Sequence, residues 1–152
     1  MTSSALVVRP AEGADLDAII ALDAAITGHS RRGFYTKRFA AAASRPQGFP
    51  TLVAVIDGAI RGFVSAHVID GEFGGTAPAG VIDAIGISPE ARGGKLARRL
   101  LEALEERFRE AQVAEIQSEA DWGERDLVQF FGACGFSLAP VVVLECRIGA
   151  ER

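Results

Sequence analysis

The residues best suited to chemistry lie between 81 and 104, VIDAIGISPEARGGKLARRLLEAL. An apolar run from Val81 to Ile87 stops at Ser88-Pro89, and a short loop then carries Arg92, Gly93, Gly94 and Lys95. Leu96, Leu100, Leu104 and Phe108 follow at helical spacing with Leu101 beside them, so the stretch reads as strand, glycine-rich turn and helix start. A helix start leaves its first backbone N–H groups without intrahelical partners and carries partial positive charge. Glycines let a ligand approach the backbone closely. Together these features propose an anion cradle, most simply for phosphate. Arg92, Lys95, Arg98 and Arg99 all precede the first acid of this helix, Glu102. Acids in the first turn are ordinarily favoured by roughly 0.3–1 kcal/mol per charge, so the reversal fits an anionic ligand; a solvated basic face is the alternative. The Walker pattern is absent, because Gly94-Lys95 is followed by Leu96, and so is the GxGxxG fingerprint.

Three titratable residues lie within or around this stretch. Asp83 stands inside an otherwise apolar strand, where an acid is expensive unless it is used or paired. Its structural alternative is an acid bonded to a neighbouring strand or loop. Glu119 closes the next predicted strand and is otherwise a solvated residue. His67 falls on a long strand and reads first as a packed or exposed strand side chain, with catalysis as the lesser alternative.

The elements that must position these residues can be read in order. Residues 5–9 form a short strand ended by Pro10. A helix from about Asp15 to Ile26 buries Leu16, Ile19, Ile20, Leu22 and Ile26, and a second runs from about Arg32 to Ala43 with Phe34, Tyr35 and Phe39. Strands at 52–56 and 60–69 are separated by Asp57-Gly58, a strong hairpin signal. A glycine-rich connection, 71–80, leads to the central strand and to a helix ending near Ala111. A strand at 113–119 follows, then a helix from about Glu124 to Cys134 whose Leu127, Phe130, Phe131 and Cys134 form one stripe, capped by Gly135. A last strand is expected over 141–148, with Val142, Leu144, Cys146 and Ile148 on one face, and 136–138 is a candidate extra strand. The order β-α-α-β-β-β-α-β-α-β predicts an α/β (α+β) fold, a mixed, mostly antiparallel sheet with helices on both faces.

The chain of 152 residues reads as a single domain, 1–152, long enough to bury a core. Its net charge of −4 gives no global attraction to nucleic acid or to an anionic membrane. The N-terminus lacks the pattern of a signal peptide and no apolar run reaches about 18 residues. Two cysteines, Cys134 and Cys146, both expected in the core, make no disulfide framework, and a reduced, cytoplasmic compartment is the natural expectation.

Pro89-Glu90-Ala91-Arg92-Gly93-Gly94-Lys95-Leu96-Ala97, placed after the strand Ile85-Gly86-Ile87, resembles the acyl-CoA signature of the GNAT superfamily of N-acyltransferases. Arg92 and Ala97 match that signature, and Lys95 stands where the family usually has its middle Gly. The resemblance covers nearly the whole chain in element order. It implies acetyl-CoA as cosubstrate, no metal, and transfer of an acetyl or short acyl group to a primary amine by direct attack in a ternary complex. Backbone groups of Ile85 and Ile87, with Gly86 between them, would pair with the pantetheine arm, which lies where the central strand splays from the next. Backbone N–H groups from Arg92 through Gly93, Gly94, Lys95 and Leu96 to Ala97 would hold the pyrophosphate. Lys95 keeps its place at no cost if its backbone is helical and not at positive φ. An amine with a pKa near 10.4 is neutral about once in a few thousand molecules at pH 7, so a base is expected, with Asp83 and Glu119 as candidates.

The resemblance also marks a departure. Phe131 occupies the position of a tyrosine that in many members protonates the departing thiolate, and would pack on the pantetheine instead. Tyr35 and Trp122 lie in segments that border the acceptor groove in the family, and Asp70 and Glu72 can attract an amine or simply be solvated. The resemblance implies a small-molecule amine or a peptide or protein amine as acceptor, and a homodimer as a common arrangement in the family. Two other readings stay open: an acyl-CoA-binding regulatory protein with weak or no catalysis, and an unrelated phosphate-binding α/β domain.

Overall fold

The computed structural model describes residues 5–70, 77–93 and 95–149. Their contacts form two compact units that divide between Glu119 and Ala120. The first holds a five-stranded sheet in the sequential order β1 (Leu6–Pro10), β2 (Thr51–Ile56), β3 (Ala59–Ile69), β4 (Ala79–Ile87) and β5 (Ile116–Ser118). The first four strands pair antiparallel and β5 joins β4 parallel. With α1 (Leu16–Thr27), α2 (Arg32–Ser44), α3 (Leu96–Glu110) and, in the second unit, α4 (Arg125–Ala133), this is the mixed α/β architecture expected from the sequence.

Each element follows from local chemistry. Asp57 (φ 51°) and Gly58 (φ 81°) both take left-handed backbone, the pair of torsions a two-residue hairpin with right-handed twist requires, and they join β2 to β3 at Ile56↔Ala59. Glu12 and Asp15 make a reciprocal capping pair before α1, and Arg9 clamps Asp15 at 2.7 Å. Arg9 holds the Asp15 carboxyl below its ordinary pKa, against burial.

Alternation along the strands divides the core. Val53 and Phe63 face α1 and α2, where they meet Ile19, Ile20 and Tyr35. Gly62 faces the other way, close to Leu100 of α3, so helices cover both faces. The predicted stripe of α3, Leu96, Leu100, Leu101, Leu104 and Phe108, is wholly buried. At Gly80 the Phe108 ring lies where a side chain would begin: an added Cβ would stand 2.5 Å from two ring carbons. Gly80→Ala is therefore expected to destabilise by about 1–3 kcal/mol, read as a shift in the chemical-denaturation midpoint.

The second unit keeps the expected α4 stripe in part. Phe131 is buried, its ring centroid 5.4 Å from that of Phe130 and 4.8 Å from that of Phe136. Gly135 (φ 93°) ends the helix as expected: its N–H donates to Gly132 O and the Phe136 N–H to Phe131 O, a Schellman closure. The expected strand over 141–148 is not formed, nor is one at 136–138. Val142, Leu144 and Ile148 are exposed, and Cys146 with them, because an alternating pattern gains nothing from extension until another strand pairs with it. Cys134 is half-buried. Among the described residues no helix is long and apolar enough to cross a membrane.

Candidate active site

The site grows from the way β4 is held on one side and released on the other. Ser88 N–H donates to Arg61 O at 2.8 Å, and Gly62 pairs with Ile87. Along an antiparallel strand the backbone groups turn alternately toward and away from the partner. Ser88, Gly86 and Ala84 therefore face β3, and Ile87 and Ile85 turn theirs toward the opposite side. On that side β5 pairs only with Gly80, Val81 and Ile82, and ends at Ser118. Beyond this fork the edge of β4 from Asp83 to Ile87 has no strand beside it among the described residues. The backbone groups of Ile85 and Ile87 turn toward that side; the Arg92 Nε–H reaches one of them, Ile87 O, at 3.3 Å.

A short 3-10 turn, Pro89–Ala91, carries the chain from β4 to α3. The Arg92 N–H closes that turn on Pro89 O at 3.4 Å, so Arg92 has its guanidinium, and not its amide, to offer a ligand. Gly93 takes φ 86°, and Gly94 lies outside the described residues. Lys95 has ordinary backbone torsions (φ −93°, ψ 25°), which removes the strain that a side chain at that position would otherwise bring. No side chain caps α3 and its first turn holds no acid. Its first internal bond from a described residue outside the helix is Arg99 N–H to Lys95 O. Among the described residues the amides of Gly93, Lys95, Leu96 and Ala97 have no acceptor, which leaves the helix start open to an anion.

The acid–base candidates part company. Glu119 is exposed, one residue past the end of β5. Asp83 is the extra residue of a bulge: Ser65 pairs with Ala84 and Ala66 with Ile82, so Asp83 has no counterpart in β3. It sits one step beyond the last β4–β5 pair, and its side chain is only 10% exposed. Oδ1 accepts from Arg38 of α2 at 3.2 Å and lies 2.9 Å from His67 Nδ1 of β3. Oδ2 is buried and has no partner among the described residues. The Arg38 guanidinium stacks over the rings of Phe34 (5.1 Å) and Phe49 (5.5 Å), so α2 presents a charge held between aromatic faces. The sequence shows Asp83's need for a partner but carries no sign that Arg38 meets it.

Tyr35 does not border a groove. It has no accessible surface, packs edge-on to Phe34 and Phe63, and receives a hydrogen bond from Arg31 at its hydroxyl. Burial, and then Asp23, push that hydroxyl above its ordinary pKa. It belongs to a second buried cluster, in which Arg31 clamps Asp23 at 2.6 Å and 2.8 Å. Trp122 is fully exposed in the second unit. Phe131 is core of its own unit and offers no proton donor. Asp70 is exposed, and Glu72 lies outside the described residues. A cleft of about 210 Å³ opens near Pro10, Thr51 and Arg107, at the far end of α3, roughly 20 Å along the helix from its open start.

The profile of the acetyltransferase (GNAT) family matches residues 16–136. The chain belongs to that family. No curated protein sequence matches it. Among solved structures it is similar to the aminoglycoside N-acetyltransferase AAC(6')-Iy in complex with a CoA-S-monomethyl-acetylneamine bisubstrate analogue, with a TM-score of 0.80 and 17% identity over 95% of this chain and 99% of that one. It is also similar to glucosamine-6-phosphate N-acetyltransferase from Arabidopsis thaliana, with a TM-score of 0.75 and 18% identity over 93% and 98%. Ribosomal-protein-alanine N-acetyltransferase from Brucella melitensis biovar Abortus 2308 gives a TM-score of 0.76 and 18% identity over 95% and 100%. At these identities the likeness is one of fold, and it agrees with the family membership: this is a GNAT acetyltransferase.

Proposed function

We propose that this GNAT member transfers an acetyl group from acetyl-CoA to a primary amine by direct attack in a ternary complex. The observation that carries the reading is the adjacency of two open backbone surfaces, the uncapped start of α3 and the unpaired edge of β4 from Asp83 to Ile87. The first suits a diphosphate and the second an extended amide-bearing arm such as pantetheine, and both ligand features occur in coenzyme A. Gly93, Lys95, Leu96 and Ala97 would hold the diphosphate through their amides, Arg92 through its side chain, and Ile85 and Ile87 the arm. The acyl group that CoA supplies is an activated thioester. The fold neighbours named above act, by name, on an aminoglycoside, an amino sugar phosphate and a protein alanine, which supports a primary amine as the acceptor class.

Coenzyme A is expected to raise the melting temperature, and no shift at millimolar acetyl-CoA would remove the reading. Arg92→Glu is expected to weaken CoA binding about 10-fold to 100-fold, the equivalent of one charge-assisted hydrogen bond at roughly 1.5–3 kcal/mol. Isothermal titration checks this, and an unchanged affinity would count against the phosphate assignment. A second reading, an acyl-CoA-binding regulator, is favoured by Phe131, which supplies no acid for the leaving thiolate. Thiol release across a panel of amines separates the two.

A further inference from the structure

We propose that His67 is the proton acceptor for the attacking amine, with Asp83 and Arg38 as the residues that position it. The inference rests on the acetyltransferase reading and assigns the base within it.

Asp83 is poorly placed to do the work itself. Its Oδ1 is occupied by Arg38 and His67, and its Oδ2 has no contact with solvent. A carboxylate with neither oxygen free at the surface does not touch a substrate. The imidazole of His67 extends it outward. A carboxylate only accepts, so the nitrogen facing it, Nδ1, is the one that carries hydrogen, and in neutral imidazole Nε2 then holds the lone pair. Among the described residues Nε2 has no hydrogen-bond partner. The ring as a whole is 22% exposed. Carboxylate, imidazole and unpartnered nitrogen are thus in the order of a general base with its orienting acid.

The location suits the role. The bulge that turns Asp83 toward His67 lies at the first residue of β4 past its last pair with β5. Four residues at about 3.3 Å each separate it from Ile87, so the open edge runs roughly 13 Å from the α3 turn to the carboxylate. An extended ligand anchored at the helix start and laid along that edge would end beside the dyad. The charged groups facing His67 are Asp83 from β4 and Arg38 from α2; the first orients the ring and the second fixes the carboxylate. In the step itself the neutral amine attacks the thioester carbonyl carbon. The C–N bond forms, the C–S bond breaks with its electron pair leaving as thiolate, and the proton lost from nitrogen passes to His67 Nε2.

The chain has two histidines, so an H29N background leaves one imidazole to observe. Nitrogen-15 NMR of that protein at neutral to mildly alkaline pH should show His67 as the Nδ1–H tautomer, and D83N should abolish the preference. H67Q should lower turnover of neamine, glucosamine 6-phosphate or an alanine-terminated peptide by about 10²–10⁴-fold at saturating substrate, with CoA affinity unchanged. An Nε2–H tautomer in the parent, or H67Q turnover equal to wild type, would overturn the assignment. The tautomer decides without a turnover substrate. Loss of CoA binding in the wild type would instead sink the acetyltransferase reading, so the two failures are distinct.

Discussion

Asp23→Ala is expected to destabilise the protein by about 3–5 kcal/mol, a large share of the 5–15 kcal/mol typical of a folded domain. Asp23 lies on α1 with only 4% of its side chain exposed, gripped through both oxygens by Arg31 and close to the Tyr35 hydroxyl. Removing it leaves a guanidinium half-buried over two aromatic rings without its counter-charge. The loss also loosens α1 from α2, and α2 carries Arg38. Burial alone would raise the Asp23 carboxyl; Arg31 and Tyr35 outweigh it, and the net pKa lies below the ordinary value. Asp15 is depressed by Arg9 in the same direction. A carboxyl depressed in the folded state contributes stability that is complete above its unfolded pKa, about 3.9, and is lost as pH falls toward the folded value. Denaturant titrations should therefore show wild type losing stability below about pH 4, and the Asp23→Ala variant losing less over the same range. Equal pH slopes for the two proteins would contradict the buried pair.

Phe108→Ala is expected to cost a similar amount, about 3–5 kcal/mol. Phe108 is 1% exposed and fills the space above Gly80, at the start of the strand that carries the site. The ring and the missing Cβ at Gly80 are two halves of one fit, so the substitutions should not add. The cost of Gly80→Ala should shrink or vanish in the Phe108→Ala background, a coupling of about 0.5–3 kcal/mol in a double-mutant cycle. Strict additivity would show that the contact does not set the packing there.

These two sites also mark how far the sequence could be read. The leucines of α3 recur at one spacing on a polar background, and all of them are buried as expected, because periodicity reports the face that a core selects. Asp57-Gly58 announced its hairpin because few residues tolerate left-handed backbone at two successive positions. Asp23 was illegible for the opposite reason: an acid on a helix counts as an outward residue until its partner is known. Arg38 and Asp83 are 45 residues apart, and only the sheet and α2 bring them together. The pattern of Val142, Leu144, Cys146 and Ile148 suggested a strand, but alternation specifies a face and not a partner, and those side chains stand exposed. Tyr35 illustrates the limit of resemblance: its segment is where a groove would be sought, yet its ring is sealed in the core.

The site divides along the same line. Loop and helix start were visible because glycines, bases and the leucine stripe are all local. The fork between β4 and β5 depends on where β5 ends, and the orientation of Asp83 depends on a bulge, neither of which leaves a mark in residue order.

The most direct measurement is a backbone amide titration of the nitrogen-15-labelled protein with coenzyme A. The amides of Gly93, Lys95, Leu96 and Ala97, together with those of Ile85 and Ile87, should move saturably and more than the rest of the first unit. Binding that leaves these six amides in place, or no binding at all, would contradict the account.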